Sequence, residues 1–201
     1  MDAVIIDSGG ANLASLQFAL ERLGARAAVS SDVREIAAAA RVLLPGVGSA
    51  GDAMQRLRHS RVEELLPTLR QPVLGICLGM QLLFERSAEG MTECLGVLPG
   101  TVRRMEPAPG RPVPHMGWNQ LSDTREDPLL AGIEPGEYFY FVHGYAAPAS
   151  EVTIAHVHYG EALSAVVRRN NFWGTQFHPE RSASAGAQLL GNFLGLSSRC
   201  C

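Results

Sequence analysis

The sequence predicts an α/β fold, with a mostly parallel central sheet flanked by helices and an additional antiparallel β region. In the first half of the chain, short runs of β-branched residues alternate with segments of helical period, which is typical of parallel strands joined by helices. From about residue 95, strand-like runs follow one another with only turn residues between them. Because 201 residues with 46% hydrophobic content suit one globular core, we expect residues 1–201 to form a single domain.

The parallel half carries the signals of its individual elements. Leucines recur at helical spacing in the first helix, and Gly24 gives it a stop signal. Asp32 is expected to cap the second helix. The sequence predicts strands at 3–7, 25–30, 41–45 and 72–76, and helices at 12–24, at 32–40, after the glycine-rich run 46–57 to about Leu69, and at 78–87.

The second half is expected to continue the same domain with antiparallel strands and to close with a helix. Alternating apolar residues and turn residues between the runs are the basis of this prediction. The predicted strands are 96–105, 137–145, 152–160 and 162–169, and the predicted helix is 184–196.

The composition argues against several classes of function. A formal net charge of −3 does not suit a nucleic-acid-binding or anionic-membrane surface. The apolar N-terminal run has no basic region before it, so it indicates a first strand, and no apolar segment approaches the roughly 20 residues of a membrane helix. The cysteines form no zinc-type pair, which predicts no metal site and a reduced, cytoplasmic setting; they are Cys77, Cys94, Cys200 and Cys201.

Cys77 lies in the run GICLG, between Gly75 and Gly79, where a predicted strand meets a predicted helix. A strained strand-to-helix turn that presents a nucleophile needs small residues on both sides. A free cysteine in an apolar run is more commonly a buried hydrophobe, and that alternative stands for Cys77 by itself. A helix N-terminus contributes only about 0.3–1 kcal/mol to a thiolate, so a nucleophilic cysteine also needs a base.

The best candidate for the base is His178, in the run QFHPE. Pro179 is expected to keep this segment extended, which directs Glu180 to the same side as His178 and lets its carboxylate orient the imidazole. His59 is expected at the surface, and His156 and His158 share one face of a strand. A surface turn is the alternative for His178 and Glu180 taken alone.

Acyl-transfer chemistry also needs donors for a developing oxyanion, usually backbone N–H groups. The N–H of Leu78 directly follows the nucleophile. The glycine-rich loop with Gly46, Val47 and Gly48 lies at the end of a neighbouring predicted strand and is expected to supply a second donor. This loop lacks the lysine of a phosphate-binding loop, so we exclude nucleotide binding there.

The runs GICLGMQ and QFHPE resemble those of the class I, triad-type glutamine amidotransferases. LPGVG, PHMGWN and YFVH resemble, more narrowly, the glutaminase subunits of imidazole glycerol phosphate synthases, and the resemblance covers essentially the whole chain. It implies the class I amidotransferase fold. It further implies that Cys77 is the nucleophile, that His178 is the general base and acid, and that Glu180 orients His178.

The resemblance also implies binding sites. L-Glutamine would be held by Gly79, Gln81, His143, Gly144 and Tyr145, and the backbone of residues 46–48 would form the oxyanion strand. Gly144 replaces a hydroxyl residue that is usual in the family, which leaves backbone groups to bind glutamine there. Ser8 replaces a common tyrosine, which affects only local packing.

A partner is implied in the same way. Trp118, Asn119 and Tyr138 match positions that face a TIM-barrel cyclase, which receives the ammonia in histidine biosynthesis, and core packing is the alternative for Trp118. No cofactor is implied. Two alternatives remain for the function: a stand-alone cysteine hydrolase, which would show no glutaminase activity, and a non-catalytic scaffold for the cyclase, against which the complete set of Cys77, His178 and Glu180 argues.

Overall fold

A computed structural model describes residues 1–8 and 13–197 of the chain, and Cys200 and Cys201 lie outside this range. The strands are β1 (Ala3–Ile6), β2 (Ala27–Ser30), β3 (Val42–Gly46), β4 (Val73–Cys77), β5 (Phe84–Ser87), β6 (Thr92–Glu93), β7 (Leu98–Arg104), β8 (His115–Gln120), β9 (Tyr138–His143), β10 (Tyr145–Ala146), β11 (Thr153–His158), β12 (Ala162–Arg169) and β13 (Phe172–Thr175). The helices are α1 (Leu13–Arg22), α2 (Val33–Ala38), α3 (Ala50–His59), α4 (Val62–Leu65), α5 (Leu78–Leu82) and α6 (Ala183–Gly195). Short 3₁₀ turns cover Leu66–Thr68, Glu89–Met91, Pro128–Leu130 and Pro179–Arg181.

The main sheet has seven strands in the order β11-β12-β13-β4-β3-β1-β2. The pairs from β13 to β2 are all parallel, whereas β12 is antiparallel to both of its neighbours. A four-stranded sheet, β10-β7-β5-β6, and the two-stranded antiparallel ribbon β8-β9 complete the β structure. The predicted fold class, a mostly parallel sheet with an additional antiparallel region, is therefore confirmed.

Each face of the main sheet packs against its own helices because successive side chains of a strand point to opposite faces. On β1, Ile5 belongs to the core cluster that contains residues of α1 and α6, while Val4 and Ile6 belong to the cluster with residues of α2, α3 and α4. Strands β1 and β4 are buried along their whole length. Burial on both faces explains why their sequences are continuous apolar runs.

Two helix starts are fixed by side-chain caps. Asp32 caps α2, as predicted, by accepting hydrogen bonds from the N–H groups of Arg34 and Glu35. Ser49 caps α3 through the N–H of Asp52 at 3.2 Å. These caps determine where the chain leaves the loops that follow β2 and β3.

The predicted helix over residues 78–87 is wrong in its second half. Helix α5 ends at Leu82, and Phe84–Ser87 form strand β5. Strand β5 pairs with β7 in parallel and with β6 in antiparallel orientation, so contacts with later segments override the local helical pattern. The predicted helical stretch to about Leu69 is also divided, because Arg61 adopts a left-handed conformation, φ +60°, between α3 and α4.

Three strands, β6, β8 and β13, lie in segments for which the sequence predicted no element. Strand β13 is fully buried between β4 and β12, and β8 pairs with β9 along its full length. Among the described residues, no helix has the length and apolar character needed to cross a membrane.

Candidate active site

The turn from β4 into α5 places Cys77 in a strained conformation. Its φ of +54° and ψ of −111° lie outside the regions that residues with a side chain normally adopt. The flanking glycines give the chain room for this turn. A Cβ on Gly79 would overlap the carbonyl oxygen of Leu44, and one on Gly75 would lie 2.7 Å from the carbonyl oxygen of Gly79.

His178 interacts with Cys77 on one side and is hydrogen-bonded to Glu180 on the other. Its Nδ1 lies 2.8 Å from Oε1 of Glu180, and both side chains are largely buried. Residues 179–181 form a 3₁₀ turn rather than the predicted extended segment. The turn at Pro179 nevertheless brings the Glu180 carboxylate to Nδ1 of His178. Nε2 of His178 is then the ring nitrogen available to Cys77.

The surroundings of His178 favour its protonated form. Burial lowers the pKa of His178, but hydrogen bonds to Cys77 and Glu180 and the negative charges of these two groups outweigh burial and raise it to about 10. At pH 7 His178 therefore carries a proton beside the sulfur. This is the arrangement needed for an ion pair between a thiolate and an imidazolium.

A pocket of about 380 Å³ opens over Cys77, within the range of small-molecule sites. It brings together most of the residues predicted for the oxyanion and glutamine sites. Glu89, Pro114 and Val142 also line it and were absent from the prediction. The predicted residues in its wall are Gly46, Val47, Gly48, Cys77, Leu78, Gln81, His143, Gly144, Tyr145 and His178.

Gly79 differs from its predicted place at the substrate. It lies behind the turn, packed against the carbonyl of Leu44, and does not line the pocket. Gly46, in contrast, pairs with Cys77 in the β3-β4 register, which brings the glycine-rich loop beside the sulfur. The loop then turns at Gly48, whose φ of +89° favours glycine.

The amide of Gln81 is buried and forms two hydrogen bonds. Its Nε2 donates to the carbonyl of Tyr145 at 2.8 Å and to Oε1 of Gln176 at 3.0 Å. Gln176 is fully buried, and its Nε2 lies 3.9 Å from the sulfur of Cys77. Sequence reasoning missed Gln176, although it stands two residues before His178 in the same run.

His143 belongs to a buried pair with His115. Burial lowers the pKa of both rings to about 4, and the nearby His115 and His178 lower that of His143 further, against its hydrogen bond to the Tyr145 carbonyl. Nδ1 of His115 lies 3.1 Å from Nε2 of His143. Both rings are therefore neutral at pH 7, in contrast to His178.

The ribbon β8-β9 separates the predicted interface residues into two groups. Trp118 and Tyr138 are 52% and 53% exposed on the outer face, so core packing is wrong for Trp118. Met116, 63% exposed, lies beside them, and we call Met116, Trp118 and Tyr138 the ribbon patch. Asn119 points to the other face, where its amide donates to the carbonyl of His158.

Comparison with known proteins identifies the family of the chain. The model of the glutamine amidotransferase class-I family matches residues 4–195. The chain belongs to the class-I glutamine amidotransferases. Within the part of the chain that the structure describes, no group of three or more His, Cys, Asp or Glu side chains is placed to hold a metal ion.

Among curated amidotransferase relatives, the imidazole glycerol phosphate synthase subunit HisH of Xanthomonas euvesicatoria pv. vesicatoria is 56% identical over 196 residues, 98% of each chain. The protein of the same name from Xylella fastidiosa is 51% identical over 197 residues, again 98% of each chain. A solved glutamine amidotransferase shares the fold with a TM-score of 0.75 at 21% identity, over 97% of this chain and 98% of the other. A putative GMP synthase component from Thermoplasma acidophilum has a TM-score of 0.74 at 19% identity, over 96% of this chain and 92% of the other.

We expect Gly79→Ala to destabilise this amidotransferase by about 3 kcal/mol or more, because the new methyl group overlaps backbone atoms that cannot move aside. The matched control is Gly191→Ala in α6, where a Cβ meets no atom within 4 Å and should be neutral or stabilise by up to about 1 kcal/mol. Urea unfolding measures both. Equal unfolding free energies for the two variants would contradict the close approach.

We expect the unfolding free energy to be highest near pH 6.5. Burial lowers the pKa of His115 and His143 from 6.5 to about 4 in the folded state. Below pH 6.5 the unfolded chain therefore binds protons at these residues more readily than the folded chain does, and stability falls with falling pH. Above it, stability falls as pH rises through about 10, the raised pKa of His178.

Chemical denaturation from pH 4.5 to pH 9 measures this dependence. His115→Gln should remove about one proton from the acid-side slope of stability against pH. His59→Gln, at an exposed position, serves as the control and should leave the slope unchanged. An unchanged slope in the His115 variant would show that the buried ring does not titrate as described.

Proposed function

We propose that this chain is the glutamine-hydrolysing subunit of an imidazole glycerol phosphate synthase. It releases ammonia from L-glutamine and passes it to a TIM-barrel cyclase, which makes imidazole glycerol phosphate and an aminoimidazole carboxamide ribotide in histidine biosynthesis. The observation that carries the proposal is the contact of Cys77, His178 and Glu180 beneath a pocket of about 380 Å³. The 51–56% identity to subunits of that synthase over 98% of each chain supports the assignment.

In the first step, the Cys77 thiolate attacks the side-chain amide carbon of glutamine. The carbonyl electron pair moves to the oxygen, which accepts hydrogen bonds from the N–H of Leu78 and from the backbone of Gly46–Gly48. His178, protonated at pH 7, gives its proton to the departing nitrogen. The C–N bond breaks, ammonia leaves, and a γ-glutamyl thioester remains on Cys77.

In the second step, His178 takes a proton from a water molecule as that water attacks the thioester. The C–S bond breaks, the new γ-carboxylic acid leaves and gives its remaining proton to solvent to become glutamate, and Cys77 returns as a thiolate beside the imidazolium. Glu180 keeps Nδ1 of His178 engaged at 2.8 Å throughout, so the same Nε2 delivers and accepts the proton.

Glu89 provides a negative charge that can pair with the α-ammonium group of a free amino acid. It is the only carboxylate among the described residues that line the pocket, and its Oε2 also accepts from the N–H of Ala50 at 2.7 Å. We assign to it the α-ammonium group of glutamine. Gly144 and Tyr145, which also line the pocket, are assigned to the rest of the amino acid.

The ribbon patch is the proposed docking surface for the cyclase. Strand β9 carries Tyr138 outward at its start and ends at His143 in the pocket wall, so one strand connects the two sites. Aromatic residues exposed side by side are the anchors that protein interfaces favour. The phosphates of the cyclase substrate are assigned to the partner, and a reduced cytoplasm is the expected location for the free thiol of Cys77.

We expect Cys77→Ala in the assembled synthase to lower glutamine-dependent product formation by at least about 10³-fold, because no nucleophile remains. Product formation from added ammonia should persist, since the cyclase reaction does not use the thiol. Cys94→Ala is the matched control and should leave both activities unchanged, because Cys94 does not line the pocket. Equal glutamine-dependent rates for the two variants would refute the assignment of the nucleophile.

We expect Trp118→Ala to weaken cyclase binding by about 2 kcal/mol, or about 30-fold in Kd, because it removes a central aromatic anchor. Titration calorimetry with the purified cyclase measures this. The control is Leu23→Ala, at an apolar residue that directly follows α1 and is 39% exposed. Similar affinities for both variants would exclude the ribbon patch as the docking surface.

A further inference from the structure

We propose that Gln176 is a further catalytic residue, whose side-chain amide donates a hydrogen bond to the sulfur of Cys77 and stabilises the thiolate. This rests on the glutaminase function proposed above. Gln176 directly follows β13, the parallel neighbour of β4, and its backbone N–H is held by the carbonyl of Ala165 at 2.8 Å. Its side chain is fully buried, with Nε2 3.9 Å from Sγ of Cys77.

The neighbours of Gln176 determine which end of its amide faces the sulfur. The carbonyl of Tyr145 can only accept, so Gln81 must turn its amino group toward it, at 2.8 Å. The same amino group meets the amide of Gln176 at 3.0 Å, which must therefore present its oxygen. The amino group of Gln176 then points at Cys77.

The carbonyl of Tyr145 is fixed from a second side. Nδ1 of His143 lies 2.8 Å from it and must carry the proton of this neutral ring. Nε2 of His143 consequently accepts from Nδ1 of His115, and Nε2 of His115 accepts from the amide of Asn119 at 3.3 Å. If the amide of Gln176 were turned around, its amino group would face the amino group of Gln81, and its oxygen would face the sulfur of Cys77, a second acceptor.

The sulfur of Cys77 has contacts that favour opposite states. The carbonyl of Val142, 3.8 Å away, accepts from the protonated thiol and repels a thiolate. The amide of Gln176 does the reverse, because a donor binds an ionised acceptor more strongly than a neutral one. The titratable groups around the sulfur are His178 and, in the pocket wall, His143, Tyr145 and Glu89, with Glu180 behind His178.

The test is the pH dependence of Cys77 alkylation by iodoacetamide, followed by mass spectrometry of the peptide that contains Cys77. Gln176→Met keeps the size of the side chain and removes the donor, so the midpoint should rise by about one pH unit. Glutamine-dependent kcat at pH 7 should fall about tenfold, with KM nearly unchanged and ammonia-dependent synthesis intact.

Thr175→Val is the matched control, because the Thr175 hydroxyl is buried beside Gln176 in the chain but bonds the carbonyl of Phe177 instead. Its alkylation midpoint should stay at the wild-type value. A wild-type midpoint in a folded Gln176→Met protein would overturn the proposal. If the midpoint rises in Gln176→Met as expected but the wild type hydrolyses no glutamine, the proposed function fails while the role of Gln176 in stabilising the thiolate stands.

A measurement on the wild type covers the case in which Gln176→Met does not fold. The side-chain amide resonances of Gln176, followed by ¹⁵N NMR, should shift with the same pH midpoint as alkylation and should change when Cys77 is blocked. Resonances that neither shift at the pH midpoint of alkylation nor change when Cys77 is blocked would overturn the proposal.

Discussion

The close packing of Gly79 against the carbonyl of Leu44 is the contact on which the site depends. It lets α5 start directly after β4, and this holds Cys77 at a φ of +54°, a conformation that the residue would not adopt by itself. The strain is offset by the pairing of the fully buried strand β4 with β3, because the sheet cannot relax at Cys77 without separating these two strands. The stability of the sheet thus keeps the sulfur of Cys77 directed at the pocket.

The parallel register then supplies the rest of the machinery. Strands β3, β4 and β13 lie side by side, and each ends at the same edge: β3 at Gly46, β4 at Cys77, and β13 just before Gln176 and His178. A ligand crevice at the carboxyl ends of parallel strands is the general expectation for such sheets. Three short local sequences, far apart in the chain, therefore meet without any long loop having to position them.

The sequence predicts those parts of the molecule that have a local cause. The strand-helix order of the first half follows from apolar runs, and the Asp32 cap from a single side chain. The sequence predicts helix at β5 because the pairing of β5 with β7 depends on a later segment and leaves no pattern in the residues of β5 itself. Gln176 and Glu89 were missed for a related reason: each acquires its place through a contact with a remote segment, 99 residues away in the case of Gln176 and Cys77. Gly79 shows the converse, since its motif position was recognised but its role lies in packing.

The three histidines around the pocket show how one fold assigns opposite charge states within a small volume. His178 is buried yet cationic because a carboxylate and the sulfur face it, whereas burial keeps His115 and His143 neutral, and no carboxylate of the described residues opposes it. Neutrality of the pair is useful, because a second imidazolium beside the pocket would repel both His178 and the ammonium of a substrate. It also fixes one proton on each ring and so gives the hydrogen bonds from Asn119 to Tyr145 a single direction. Asn119 lies in the same ribbon that carries Trp118 on its outer face. The strand proposed to meet the partner is therefore connected, through a continuous series of hydrogen bonds with defined donors, to the amide that faces Cys77.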